Sequence, residues 1–375
     1  MKNKIMLLML AGLFTGCGEP GSKETVEPAK PDDIVQLATG EVSTFVLKGD
    51  NTLWGCGFTD GFDQLSDGLT RKQSTLVKVY ADVKAVSTGD YHTLVLKNDN
   101  TLWTCGRNSE GQLGDGTTID RKELIQITDN VKAVNAAGHH TLVLKNDNTL
   151  WACGSNDYQW LGNDTIYTQK DLIKIMDNVK AVGAGKAHTL ILKNDNTLWS
   201  CGWNEFGQLG DGTHTTRKEF IKITDNVKTV SVGWAHTLVV KNDNTLWACG
   251  WNDYGQLGNG TNTSRNELIK ITDNVKAVSA GYAHTLVLKS DNTLWACGYN
   301  FHNELGDGTG VNRRDLVKVS DNVKAVSSGG AHNLVLKNDN TLWACGFNRE
   351  GQLGDGSFTN RNVLVPVYIS GDKKN

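Results

Sequence analysis

The sequence predicts an all-β fold, a seven-bladed β-propeller of four-stranded blades, and three observations carry that prediction. A unit of about 48 residues recurs seven times, each unit holds four short apolar stretches, and the repeated part is rich in glycine and nearly free of proline. Cysteines stand at 56, 105, 153, 201, 249, 297 and 345, spaced 49 once and then 48 five times. Trp54, Trp103, Trp151, Trp199, Trp247, Trp295 and Trp343 lie two residues before them. A fixed period of this size signals a propeller, a solenoid or an array. The units run 34–82, 83–130, 131–178, 179–226, 227–274, 275–322 and 323–370, and 371–375 forms a tail.

The sixth unit shows why each element forms. Val275-Lys276-Ala277-Val278 alternates and suits a short strand, and Gly281-Tyr282-Ala283 turns the chain. His284 to Lys289 is a second strand, apolar on both faces. Ser290-Asp291-Asn292 is a tight turn, because Asn and Asp tolerate left-handed geometry and bond their own backbone. Leu294 to Cys297 is a third strand, Gly298 to Arg314 a long polar loop, and Leu316 to Val319 a fourth strand. Strands apolar on both faces call for sheets packed on both sides. A linear stack would need polar caps, and no unit looks like one, so the ring closes. Seven blades fall within the usual range for propellers.

Composition narrows the class further. The chain holds 41 glycines and 4 prolines, and of the prolines only Pro366 lies beyond residue 31, as expected of paired strands joined by tight turns. A hydrophobic fraction of 38% is too high for a disordered chain. No apolar run reaches the length of about 18 that a spanning helix needs. The formal charge of −3 argues against a module that works by neutralising phosphates, so no nucleic-acid partner is expected.

The first residues read as an address. Lys2 and Lys4 precede an apolar run from Ile5 to Phe14, followed by Thr15, Gly16 and Cys17, the pattern of a secretion signal. The segment Leu13-Phe14-Thr15-Gly16-Cys17 resembles a bacterial lipobox, although Phe14 stands where leucine is preferred. That resemblance implies a signal peptide over 1–16, a lipid on the Cys17 thiol, and location in the cell envelope on the periplasmic or extracellular side. Two or more acyl chains give stable anchoring. Residues 17–33 carry acids and prolines and no core-forming pattern, which predicts a flexible tether.

The recurring Gly-x-x-His-Thr-Leu-x-Leu, Cys-Gly-x-Asn and Gly-Gln-Leu-Gly-Asp-Gly runs resemble the repeats of the regulator of chromosome condensation. The resemblance covers 34–370 and implies a seven-bladed propeller. Unit one departs from it at Ser43, where the others have His, and at Asp63-Gln64-Leu65-Ser66. Unit three has Gln159-Trp160-Leu161-Gly162 and unit six Asn303-Glu304-Leu305-Gly306, departures assigned to packing. Relatives in this family include an exchange factor for a small GTPase, a plant ultraviolet receptor and a β-lactamase inhibitor. All use loop faces for protein contact, so the resemblance implies protein recognition.

Several side-chain patterns invite chemistry. The seven repeat cysteines cannot all pair, and one per 48 residues lacks metal-ligand spacing, so buried thiols between blades are expected. His92, His140, His188, His236, His284 and His332 recur, whereas a catalytic histidine is usually single. They are expected to hold the adjacent turn by a hydrogen bond. The Asn-Asp-Asn and Gly-Asp-Gly turns offer too few carboxylates for calcium. Lysines 48, 97, 145, 193, 241, 289 and 337 each precede an aspartate by two residues and form a solvated turn face. No metal or cofactor is expected, and no isolated acid/base pair stands out.

The positions that differ between copies point to function. Strand direction alternates, so the Gly-x-x-His turn and the long loop emerge at one end of the propeller, and loops on a rigid scaffold commonly carry function. After the turn glycine stand Glu41, Asp90, Gly138 (beside Ala137, which replaces the turn glycine), Lys186, Trp234, Tyr282 and Gly330; after Cys-Gly stand Phe58, Arg107, Ser155, Trp203, Trp251, Tyr299 and Phe347. Tyr158, Trp160, Phe206, Tyr254 and Phe301 lie nearby. The aromatic residues concentrate in units three to seven, and exposed aromatic clusters mark binding surfaces. The binding face is expected at Lys186, Trp203, Trp234, Trp251, Tyr254, Tyr282, Tyr299, Phe301 and Phe347, at positions that packing does not dictate. The expectation is a monomeric, membrane-anchored, non-enzymatic propeller that binds a protein or glycan. The alternatives are an envelope enzyme acting on polysaccharide or peptide and a guanine-nucleotide-exchange regulator.

Overall fold

The computed structural model describes residues 32–58, 72–163 and 168–369. Cys17, the segment 1–16, all of the tether but Asp32 and Asp33, the Asp63–Ser66 departure and the 371–375 tail lie outside them. The described residues form 28 strands in seven antiparallel sheets of four, and within every sheet the strands are neighbours in sequence order. Each blade is therefore built from its own unit, and no strand is borrowed.

In the sixth blade the strands are Val275–Ala280, His284–Lys289, Leu294–Gly298 and Arg313–Ser320. The second strand is buried along nearly its whole length, while the fourth alternates between half-buried and exposed and forms the outer edge. That fourth strand begins three residues earlier than the apolar pattern indicates. Arg313 donates to Asp307 Oδ2 at 2.7 Å, which folds the end of the long loop back into line with the sheet. Arg121–Asp115, Arg217–Asp211 and Arg361–Asp355 repeat the device. The tight turns follow their sequence chemistry. Asn292 has φ of 64°, and Asp291 Oδ1 accepts the Thr293 backbone N–H at 3.0 Å and its hydroxyl at 2.7 Å. Thr293 Oγ1 in turn accepts Trp295 Nε1–H at 2.9 Å.

The core lies between blades rather than inside one layer. Leu286, Leu288 and Leu294 of blade six pack with Val323, Val326 and Val335 of blade seven. Burial of each such side chain is worth about 1.5–3 kcal/mol. The same contact closes the ring, where Ile34, Leu37 and Val46 meet Ala325, Leu334 and Leu336. Two further bonds secure it: Gly356 N–H donates to Ser74 O at 2.8 Å, and Leu76 N–H donates to Tyr368 O at 3.1 Å. The first matches the loop-to-next-blade bond from Gly308 to Asn362, and the second is an addition made by the last residues of the described chain.

The repeat histidines do not hold their own turn, as the sequence suggests: Nδ1 of His92, His188, His236 and His332 has no partner, and the ring reaches the neighbouring blade instead. His188 Nε2 lies 3.0 Å from Thr237 Oγ1 on the next blade, and that hydroxyl donates to Gln208 O at 2.7 Å. Because the hydroxyl proton is spent on the carbonyl, the imidazole is the donor and carries its proton on Nε2. His92, His236 and His332 bridge to the next blade's threonine and His284 to Asn333. The histidines are thus inter-blade pins. Burial drives the pKa of His92, His140, His188, His236 and His332 down to about 3.

Candidate functional site

The end of the propeller that carries the long loops also carries the predicted face. Its loops are rigid for a local reason. In blade five Asn252 is fully buried, accepts Leu257 N–H at 2.9 Å and donates to Thr261 O and Thr263 O. Gln256 Oε1 accepts Tyr254 N–H at 3.1 Å, which fixes the turn that presents the tyrosine ring. Glycine is required at Gly255, where φ is +84° and an added Cβ would lie 2.3 Å from the Arg314 Cα of the next blade.

On these loops the aromatic rings form one continuous arc across blades three to seven. Tyr158 lies 5.9 Å from Trp203, Trp203 lies 5.6 Å from Trp234, and Trp234 lies 5.0 Å from Trp251. Trp251 meets Tyr254 at 5.1 Å and Tyr254 meets Tyr299 at 4.8 Å. His302 then bridges Tyr299 and Phe347 at 6.1 and 5.3 Å. Most of these contacts are edge-to-face, the arrangement that the ring quadrupole favours. Exposure divides the set. Phe301 is 72% and Tyr282 40% exposed, whereas Trp251 is only 9% exposed. Trp251 is the centre of a small aromatic core with Phe206, Trp234 and Tyr254, so packing does dictate this ring. Trp160 is likewise buried.

Lys186 sits at the mouth of the central channel. Its ammonium lies 3.0 Å from Asp90 and 3.5 Å from Glu41, and 5.3 Å from the centre of the Tyr282 ring. Tyr282 stacks on Trp234 at 5.2 Å with 14° between planes. Burial and the nearby Asp90 raise the Glu41 carboxyl above its ordinary value. Burial alone would lower the Lys186 ammonium, but the two carboxylates outweigh it and the net shift is upward.

Beside the arc runs a groove of about 530 Å³, lined by Trp251, Tyr254, Tyr282, Tyr299 and Phe347 and reaching Glu304. Glu304 is 1% exposed and occupies the position held by Gln112, Gln208, Gln256 and Gln352 in other blades. Its Oε2 accepts His302 N–H at 2.9 Å, the bond those glutamines make. Burial raises its pKa to about 7. The sequence alone presents this residue as a packing variation. Its signal is a single carboxylate in a column of amides, and the weight of that signal depends on the column being buried.

Among the described residues the repeat cysteines form no disulfide and are buried. Among the described residues no group of three histidine, cysteine or acidic side chains is placed to hold a metal. Together the loop end offers an aromatic surface with a charged trio at its centre and a buried carboxylate at one side.

Comparison with known proteins bears on this arrangement. The family model for the RCC1-like domain matches residues 12–314, and models for the RCC1 repeat match 323–352 and 339–375. Human WBSCR16 is similar in structure, with a TM-score of 0.74 and 22% identity, over 86% of this chain and 96% of that one. Yeast RCC1 (Prp20), solved with Kap60 bound to it, has a TM-score of 0.74 and 19% identity over 95% and 91%. Prp20p of Saccharomyces cerevisiae, described with its binding properties to Gsp1p and histones, gives 0.74 and 20% over 92% and 88%. No curated protein matches the chain.

Proposed function

The chain belongs to the RCC1-like domain family, and from that premise we propose that it is a non-enzymatic scaffold that recognises a protein through its long-loop face. The observation that carries this reading is the unbroken arc from Tyr158 to Phe347. Aromatic rings on rigid loops supply large contact area at small entropic cost, and such residues dominate binding energy in known interfaces. The molecules described with Prp20 are proteins, which supports a protein partner over a glycan. The Leu13–Cys17 segment supports a lipid anchor on Cys17, an anchor that would keep the face in the cell envelope, held off the membrane by residues 17–33.

Capture from envelope extracts tests the face. Wild-type protein retains a partner that Tyr282→Ala with Phe301→Ala loses, while Asp225→Ala at the opposite end retains it. Loss in both variants, or in neither, overturns the assignment. For the anchor, Cys17→Ser shifts the protein out of the membrane fraction, and unchanged mass and partition in that variant contradict a lipid.

A further inference from the structure

The groove beside the arc combines aromatic walls with buried negative charge. We infer that it takes the side-chain ammonium of a lysine presented by the protein partner, the rings receiving the cation and the Glu304 carboxylate ending the site. The inference rests on the protein-recognition reading above. Three observations point to this occupant. The walls are Trp251, Tyr254, Tyr282, Tyr299 and Phe347, the ring types that attract cations through their faces. The lining also carries the carboxylates of Glu41, Asp253 and Glu304 and no lysine or arginine. Lys186 does not line the groove, and its ammonium is held at the rim by Asp90 and Glu41.

Glu304 decides between kinds of cation. One of its oxygens accepts His302 N–H, its own backbone N–H also bonds the carboxyl, and the side chain is 1% exposed. A buried carboxylate is costly unless hydrogen-bonded. A cation that bears N–H meets that need and a quaternary ammonium does not. With one oxygen already taken by His302 N–H, the carboxylate does not meet both prongs of an arginine fork and suits the compact point charge of lysine.

The test uses the full chain and needs no partner, so its failure is separable from failure of the capture experiment. Nα-acetyl-lysine methylamide is titrated at pH 8, above the value of about 7 to which burial raises Glu304, and binding is read from tryptophan fluorescence. The expected result is saturable binding, at least tenfold weaker for Nα-acetyl-norleucine methylamide and for tetramethylammonium. Glu304→Gln restores the residue found in five other units of the sequence, so the fold is kept, and it weakens the lysine probe at least tenfold. Norleucine binding as well as lysine makes the groove merely apolar and overturns the inference. Tighter binding of tetramethylammonium, or an unchanged affinity in Glu304→Gln, overturns it as well.

Discussion

Ala137 displaces His140 from the inter-blade site that the equivalent histidines occupy. At Gly89, Gly185, Gly233, Gly281 and Gly329 an added Cβ would fall 2.1–2.7 Å from the Cε1 of the histidine three residues on. Ala137 carries that Cβ. His140 stacks instead on Trp160, with centroids 5.5 Å apart and 26° between planes, and neither ring nitrogen finds a partner. Thr189 on blade four, which would have received it, keeps an orphaned hydroxyl.

The same substitution therefore has different consequences at two equivalent positions. Thr237→Val removes a hydroxyl that accepts from His188 and donates to Gln208 O, which leaves the buried His188 Nε2–H unpaired and Gln208 O with only the weak Cys249 thiol donor. It is expected to cost roughly 1–3 kcal/mol. Thr189→Val removes a group that is already unpaired and is expected to be neutral or slightly stabilising. Chemical denaturation of the two variants checks the contrast, and equal losses would mean that the joint between blades three and four is pinned like the rest.

Acid should unfold the ring steeply. The folded-state pKa is about 3 for five of the repeat histidines and about 4 for His284, against about 6.5 in the unfolded chain. Burial lowers all six, so the unfolded chain binds more protons below pH 6.5. Stability is complete above that value and is lost as pH falls toward 3. Between pH 6 and pH 5 each histidine forfeits roughly 1 kcal/mol, and six together approach the whole stability of an ordinary domain. Denaturant midpoints measured across this interval should fall with an uptake of several protons; a flat profile contradicts the buried neutral imidazoles.

How much of this is legible in the sequence varies with the kind of relationship. The period and the turn chemistry at Asn292 are local, so strand number, blade number and loop end can be read from residues close in sequence. The inter-blade bond from His188 to Thr237 spans 49 residues and leaves no local trace, so sequence reasoning assigns the histidine to its own turn. Arg313 is polar and hides the start of its strand until Asp307 is seen beside it. At Trp251 the variable position is visible, but variation between blades does not separate a surface ring from one that fills space among its neighbours. Glu304 is visible as an exception, yet only its burial makes the exception chemical.

Stability and binding should separate within the arc. Trp251 is 9% exposed amid Phe206, Trp234 and Tyr254, so Trp251→Ala leaves a cavity and is expected to cost about 3–5 kcal/mol. Tyr282→Ala and Phe301→Ala remove exposed rings and should each change stability by less than about 1 kcal/mol. Thermal melts of the three variants check the division, and a large loss in Phe301→Ala would make that ring a loop lid rather than a contact.

The thiols should stay silent in the folded state. Burial raises the pKa of Cys201, Cys249 and Cys297, and each Sγ–H points to a carbonyl of the preceding blade, at 3.2 Å for Cys201 and Trp160 O. The thiolate is the reactive form, so titration with a thiol reagent should label these positions only on unfolding. Rapid labelling of the native protein, or disulfides found by mass spectrometry, contradicts this placement.

Glu304 opposes the histidines in its pH dependence. Its pKa rises from an ordinary 4.5 to about 7 through burial, with its own backbone N–H and that of His302 pulling the other way. Its stabilising protonated form is complete below the unfolded value and is lost as pH rises through about 7. Tyr299 and Cys345 sense its charge, and Glu41, Asp253, Tyr254 and His302 line the same groove. Each pH unit between the two values is worth about 1.4 kcal/mol, so ionised Glu304 costs on the order of 3 kcal/mol at pH 8 and nearer 2 at pH 6. Glu304→Gln keeps the bond from His302 N–H and does not titrate. Relative to wild type it should therefore gain roughly 1 kcal/mol between pH 6 and pH 8, while both proteins share the histidine losses below pH 6. Denaturation of the pair at the two pH values isolates this carboxyl from every other group, and a difference that does not change with pH would place its ionisation outside the interval.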